Sequence, residues 1–456
     1  MSSDLGLRNF TLGELVELSQ GLAINSKTKH LLASEGLPLL RITDLINDEQ
    51  VQFIKKDSAP SKCIATVNDI IYTRTGQVGL VFKGKTGVIH NNCFKVIPNT
   101  DLLDSDYLYW FLSQDSIKKY ANDVASGSVQ KDLNHSAFKS ISIDLPTLDY
   151  QKTVGPILNS LSQKIELNRQ TNQTLEQIAQ ALFKSWFVDF EPTRAKIFAK
   201  EASASPEEIE RAAMCAISGK TPDQLAQLPP ETQQNLKTTA ALFPDALMDS
   251  ELGEVPEGWE IGTLGDLMSF NPQRTLRKGT FAPYLDMKNV PTEGHLADDV
   301  YLREMGSGMK FINGDTLLAR ITPCLENGKT AYVDFLEEGQ VGWGSTEFIV
   351  MRPKEGRPLS LGYIIARLEV FRSKAIQTMT GSSGRQRADA NVLSQQPWIN
   401  YPIALLKKFD LTSGYFLAIA KNNGEQNKAL SELRDSLLPK LLSGEISLND
   451  VHEELK

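Results

Sequence analysis

The sequence has little of what redox or metal chemistry is built from: four cysteines and five histidines in 456 residues. Cys63, Cys93, Cys215 and Cys324 stand far apart without a C-x-x-C pair, and His30, His90, His135, His295 and His452 are as scattered. Such spacing encodes neither a disulfide framework nor a metal site. No run approaches the ~18 consecutive apolar residues of a membrane helix, and the stretch from Met1 to Phe10, with Asp4 and Arg8, has no apolar leader. A cytoplasmic protein is expected. Charge of one sign is also missing. Residues 1–147 carry 15 basic and 16 acidic side chains, and residues 256–404 carry 16 and 17; only residues 148–255, with 10 against 15, are clearly acidic. Bulk charge does not announce a polyanion binder, so nucleic-acid binding must rest on local patches and on partners that add positive charge.

What is present is a repeat. Thr11-Leu-Gly-Glu-Leu15 returns as Thr263-Leu-Gly-Asp-Leu267, and the stretch from Asn68 to Arg74 returns as Gly314 to Arg320, keeping Asp69 with Asp315 and Arg74 with Arg320. Phe94-Lys-Val96 matches Phe348-Ile-Val350; Gly127, Asp132 and Asn134 align with Gly384, Asp389 and Asn391, and Pro146 with Pro402. The matches are collinear, which marks a duplicated domain. Each copy holds short β-rich runs punctuated by Gly, Asn and Pro, and one helix, Tyr107 to Tyr120 in the first and Leu361 to Ile376 in the second.

Each copy leads into a long helix. Leu158, Leu161, Ile165, Asn168, Asn172, Leu175, Ala179, Leu182 and Trp186 step by three and four, as a helix-pairing seam does. Phe416, Ala420, Asn423, Asn427, Leu430, Leu437 and Leu441 repeat the pattern, with Asn168 and Asn172 matched by Asn423 and Asn427. Asparagine in a buried seam costs stability but fixes register. A helix from Tyr150 to Phe190 would be about 60 Å long, more than a domain of this size covers, so the second helix, Gly414 to Ser443, is expected along it. The expected fold is α+β: two duplicated β-rich domains and two long antiparallel helices, an intramolecular coiled coil with pseudo-twofold layout. The boundaries are residues 1–149, first domain; 150–191, central helix; 192–255, a connector with short helices; 256–412, second domain; 413–445, C-terminal helix; and 446–456, tail.

Catalytic motifs do not stand up. Gly79 to Thr86 fits G-x-x-x-x-G-K-T, but Gly87-Val-Ile-His90 continues as strand where a phosphate-binding loop requires a helix. Asp266, Asp286 and Lys288 imitate a nuclease D…D-x-K set, yet Arg41 and Thr43 replace the last two in the first copy. No catalytic, cofactor or metal residue is assigned. Two loops per copy do carry side chains suited to DNA: Arg74, Thr75 and Gln77 with Ser128, Gln130 and Lys131 in the first, and Arg320 with Ser383, Arg385, Gln386 and Arg387 in the second. Arg and Gln pair donors and acceptors with guanine and adenine edges, and Ser, Thr and Lys suit phosphates.

The run from Asn68 to Gly76, the stretch from Gly127 to Leu133 leading to Ile143-Asp-Leu-Pro146, Leu182-Phe-Lys-Ser-Trp-Phe-Val-Asp-Phe190 followed by Pro192-Thr-Arg-Ala-Lys196, and Leu437-Leu-Pro-Lys-Leu-Leu-Ser-Gly444 resemble the specificity (S) subunits of type I restriction-modification systems. The resemblance implies two target-recognition domains reading a split site on double-stranded DNA, a paired-helix spacer, two docked methyltransferase (M) subunits and recruitment of restriction (R) subunits. S-adenosylmethionine, ATP and Mg would belong to those partners, and this chain would not be catalytic alone. The second copy departs from the first where Ile321 and Pro323 replace Thr75 and Gln77. Two other readings stay open: a stand-alone nucleotide-dependent DNA endonuclease using Lys85, and a coiled-coil scaffold that does not touch DNA.

Overall fold

A computed structural model describes residues 6–127, 130–382 and 384–446. The chain divides into two compact units, Met1–Glu166 with Asn427–Lys456, and Leu167–Gln426.

In the first unit, a four-stranded antiparallel sheet runs in the order Val16–Gln20, Cys93–Pro98, Ile70–Thr73, Val81–Phe82. A second sheet is mixed, with Leu37–Leu40 parallel to Gly87–Ile89. Arg8–Thr11 pairs with Ser142–Leu145. The second unit repeats this plan: Met268–Phe270, Phe348–Pro353, Thr316–Ala319 and Thr330–Tyr332 form one sheet, Phe281–Leu285 lies parallel to Gly342–Gly344 in another, and Glu260–Thr263 pairs with Pro397–Asn400. Pro98 faces Val16 and Pro353 faces Met268 at the last rung of equivalent ladders, where a missing N–H is tolerated. This is the expected duplicated α+β plan.

The repeated Thr-Leu-Gly motif has a physical cause in each unit. Glu14 and Asp266 reach back to the amides of Thr11 and Thr263 at 2.7 and 2.8 Å, closing one turn of helix with a capping box. The glycine between them lets another segment come close. A Cβ on Gly13 would stand 3.2 Å from the Lys139 carbonyl oxygen, and one on Gly265 would stand 3.0 Å from that of Ser394.

The long helices are Leu148–Phe187 and Ile403–Ser443. In the first unit Leu158, Leu161, Ile165, Leu437 and Leu441 are buried, with Leu430 packed against the same core. The Tyr150 hydroxyl donates to the Leu441 carbonyl at 2.9 Å, and Asn427 Nδ2 donates to the Ile165 carbonyl at 3.2 Å. In the second unit Asn168 Nδ2 donates to Gln426 Oε1 at 2.7 Å, and Asn423 Nδ2 to Asn172 Oδ1 at 2.8 Å. Residue numbers climb on one helix as they fall on the other, so the segments within each unit are antiparallel. Leu175, Leu182 and Phe416 are half-buried, Trp186 is buried, and Phe183, absent from the expected seam, is fully buried beside Phe187, Tyr401 and Phe409.

Three expectations are corrected. The C-terminal helix begins at Ile403, not near residue 413, because Leu405, Leu406 and Phe409 already bury against the second domain. The central helix stops at Phe187, and Glu191–Glu201 is a separate helix with proline in its first turn. The single helix expected in each copy is two: Ser105–Leu112 and Asp115–Val124, then Ser360–Arg367 and Glu369–Gln377. Gln114 and Leu368 are extended at the breaks, each just before an acidic residue that opens the next helix. The connector contains Pro206–Ser218 and Pro230–Ala240. Among the described residues no helix is long and apolar enough to cross a membrane.

Candidate nucleic-acid interface

In the first unit, strand Ile70–Thr73 runs straight into the Arg74 loop. The buried Thr73 hydroxyl sets the turn, donating to the Gln77 carbonyl at 2.5 Å and accepting from the Leu80 amide at 2.9 Å. The segment returning through Lys131 and Asp132 crosses this loop: Thr75 bridges Asp132, the Gly76 amide donates to the Lys131 carbonyl at 2.8 Å, and the Leu133 amide to the Arg74 carbonyl at 2.9 Å. Gly127, at φ 98°, makes the return possible, since a Cβ there would meet the Gln130 carbonyl oxygen at 2.3 Å.

Side chains lock the crossing. Arg74 donates through one terminal nitrogen to both Asp132 oxygens, at 2.8 and 2.6 Å, and through the other to Gln20 Oε1 at 3.0 Å. The Thr75 hydroxyl donates to Asp132 Oδ1 at 2.6 Å. That hydroxyl, followed by the Arg74 guanidinium, holds the Asp132 carboxyl below its usual range. Lys131 Nζ donates to the Asn122 carbonyl at 2.6 Å. Gln77 and Gln130 are exposed, and Ser128 lies outside the described residues.

The second unit makes the same crossing. The Arg320 amide donates to the Glu347 carbonyl at 2.9 Å, as that of Arg74 does to Asn92 at 2.8 Å. The Ala388 amide donates to the Arg320 carbonyl at 2.8 Å, and Ile321 bridges Arg387. Arg387 therefore occupies the place of Asp132, and Asp389, which caps helix Ala390–Ser394, the place of Asn134, which caps His135–Lys139. The sequence alignment of Asp132 with Asp389 is thus corrected by two residues. Arg387 forms a two-pronged pair with Glu347, Nε to Oε2 at 2.8 Å and a terminal nitrogen to Oε1 at 2.8 Å. Gln386 and Thr322 exchange hydrogen bonds at 2.9 and 3.1 Å, Arg385 is exposed, and Ser383 lies outside the described residues.

The sequence missed Glu347, Gln20 and the bracing role of Asp132. One signal was available: Asn92 and Glu347 stand at the spacing of 255 that also relates the long helices.

The rejected motifs are built as structure. Gly87–Ile89 follows Lys85 as a strand, and Lys85 Nζ pairs with Asp48 at 2.6 Å. Asp266 belongs to the capping box, and Asp286 accepts from the Lys288 amide at 3.3 Å. Among the described residues no group of three or more His, Cys, Asp or Glu could hold a metal ion.

Residues 6–177 match the family model described as type I restriction modification DNA specificity domain. The chain is 27% identical over 430 residues to the type I restriction enzyme HindI specificity subunit of Haemophilus influenzae, covering 88% of this chain and 93% of that one. It is 22% identical to the MjaIX specificity subunit of Methanocaldococcus jannaschii, covering 96% and 93%. Its fold is similar to the crystal structure of a type I restriction-modification S subunit from M. genitalium, with a TM-score of 0.52 at 14% identity over 97% of each chain. With the duplicated plan and the loop crossings already in view, the chain is similar over nearly its whole length to the specificity subunits of type I restriction-modification systems, and its first unit matches their DNA specificity domain.

Proposed function

We propose that each unit reads one half of a two-part DNA site and that the long helices hold the gap between the halves. The observation that carries this is the recurrence of one loop crossing in both units with different exposed side chains, Gln77 and Gln130 in one and Arg385 in the other. Equal scaffolds with unequal loops suit two different half-sites. Two methyltransferase subunits dock on the helices and adjoining surfaces in this reading, and the assembly recruits restriction subunits; S-adenosylmethionine, ATP and Mg act in those partners. The acidic excess of residues 148–255 supports a protein rather than a phosphate partner for the central segment. Near-neutral recognition domains require the partners to share the backbone contacts.

The experiment is to map modified bases in DNA from cells carrying this chain with its methyltransferase partner. A motif of two specified parts with a fixed unspecified gap is expected. A single continuous motif would overturn the division of labour, and cleavage by the purified chain alone would favour a self-sufficient nuclease.

A further inference from the structure

The two loop crossings share a backbone but not the polarity of their braces. In the first unit, the arginine at the end of the central strand is consumed: Arg74 spends its terminal nitrogens on Asp132 and Gln20. The equivalent of Asp132 in the second unit is Arg387, so the same brace is impossible there. Its acid comes from the third segment instead, where Glu347 stands at the place of Asn92 and takes Arg387. Arg320, which stands where Arg74 does, is left over. Its Nε is buried without a hydrogen-bond partner, as that of Arg74 is, but among the described residues it makes no ion pair and, unlike Arg74, its terminal nitrogens donate no hydrogen bond. A half-buried guanidinium without an acceptor is costly unless a ligand supplies one.

We propose that this charge reversal assigns different work to equivalent arginines: Arg74 is a positioning residue that braces the first reading loop, whereas Arg320 is a specificity-determining residue that donates to a base edge in the second half-site. Guanine presents the paired O6 and N7 acceptors that fit a guanidinium. Arg387 and Glu347 are the positioning pair of the second unit. The inference rests on the reading that each unit recognises half of a DNA site.

The test uses the full chain with its methyltransferase partner on DNA with randomised half-sites, sequencing the modified products and measuring rates. Arg320→Gln should lower the preference for one G·C pair in one half-site by roughly 5- to 100-fold, the discrimination of one two-pronged base contact. Every other position and the melting temperature should be unchanged. Arg74→Gln should slow modification of all sequences together while leaving each base preference intact, and the exchange Arg74→Asp with Asp132→Arg should recover most of the lost rate. The assignment is overturned if Arg320→Gln leaves the preferences whole, if it weakens all sequences alike as a phosphate contact does, or if Arg74→Gln relaxes a base. Variants at Arg320 carry the test even if those at Arg74 fail to fold. Modification without any sequence preference by the unaltered chain would sink the underlying reading instead, a separate result.

Discussion

Tyr363 donates its hydroxyl to Glu176 at 2.6 Å, tying helix Ser360–Arg367 of the second unit to the central long helix. Arg367 completes the tie. Its Nε donates to the Tyr363 hydroxyl at 3.0 Å and stands 3.3 Å from Glu176, and its terminal nitrogens reach the carbonyls of Thr292, Gly294, Gly328 and Thr330. One guanidinium thus joins a long helix, a domain helix and two loops. At the spacing of 255 the first unit has Leu108, Leu112 and Ser431 instead, and Leu108 and Leu112 are fully buried. The same junction is ionic in one unit and apolar in the other.

Breaking the ionic junction from one side leaves a charge with nothing to answer it. Arg367→Leu strands Glu176 and four carbonyls, and a loss of about 3 kcal/mol is expected from removing one partner of a buried pair. Glu176→Gln keeps an oxygen for the Tyr363 hydroxyl and should cost only about 1 kcal/mol. Denaturant unfolding of the full chain, with hydrogen exchange to place the loss in the second unit, measures both. Equal losses from the two substitutions would show that the charge of Glu176 is not what holds the junction.

Neutral-to-acid pH should weaken the first unit. His135 packs edge-on to Phe94 at 5.3 Å, near Gln20, and burial, then Arg74 and Lys139, hold its proton affinity below the ordinary value. Burial and then Arg41 do the same to His90, partly offset by Asp44. Because the folded values lie below those of the unfolded chain, the unfolded chain takes up protons first as pH falls. The stability these rings contribute is whole above about pH 6.5 and is lost as pH drops through their folded values. Melting at pH 7.5, 6.5 and 5.5 should show a decline that flattens when His90 and His135 are both replaced by Asn. An unchanged slope would assign the decline elsewhere.

The asparagine seam tests register against stability. Asn423→Leu leaves Asn172 Oδ1 without its 2.8 Å donor and should cost about 1–3 kcal/mol, while the pair Asn172→Leu with Asn423→Leu should recover much of that, since neither partner is then stranded. The Asn172 amide also donates to the Ala420 carbonyl at 3.0 Å, a bond the double variant loses, so recovery should be incomplete. A double-mutant cycle gives the coupling directly. Additive losses would mean that the two amides do not act as a pair.

How far these features could be read without coordinates depends on whether their signal is periodic. The three-four spacing from Leu158 to Trp186 and the Thr-Leu-Gly repeats were legible because each reports a local backbone requirement, a buried stripe or a cap. The helix break at Leu368 was not, because apolar residues continue across it, and at Gln114 the polar run Ser113-Gln-Asp-Ser116 reads equally as one exposed turn of a continuous helix. The match of Asp132 to Arg387 was hidden for another reason: likeness of residues is what alignment rewards, and here the structure keeps a position while reversing its charge. Phe183 escaped the seam because the wider apolar face at that end of the helix also serves the second domain.

The long helices can be lengthened without touching either loop crossing, which tests whether they set the gap proposed above. The chain passes between the two units at Glu166–Leu167 and at Gln426–Asn427, both inside long helices. Four helix-forming residues inserted at both places add about 6 Å and slightly more than one turn, so the seam faces stay nearly aligned. With about 3.4 Å per base pair, the unspecified gap should grow by one or two base pairs while both half-sites keep their bases. Mapping modified DNA from cells carrying the lengthened chain and its methyltransferase partner reads the gap directly. Retention of the original gap in an active complex would mean that something other than the helix pair sets the distance between the half-sites.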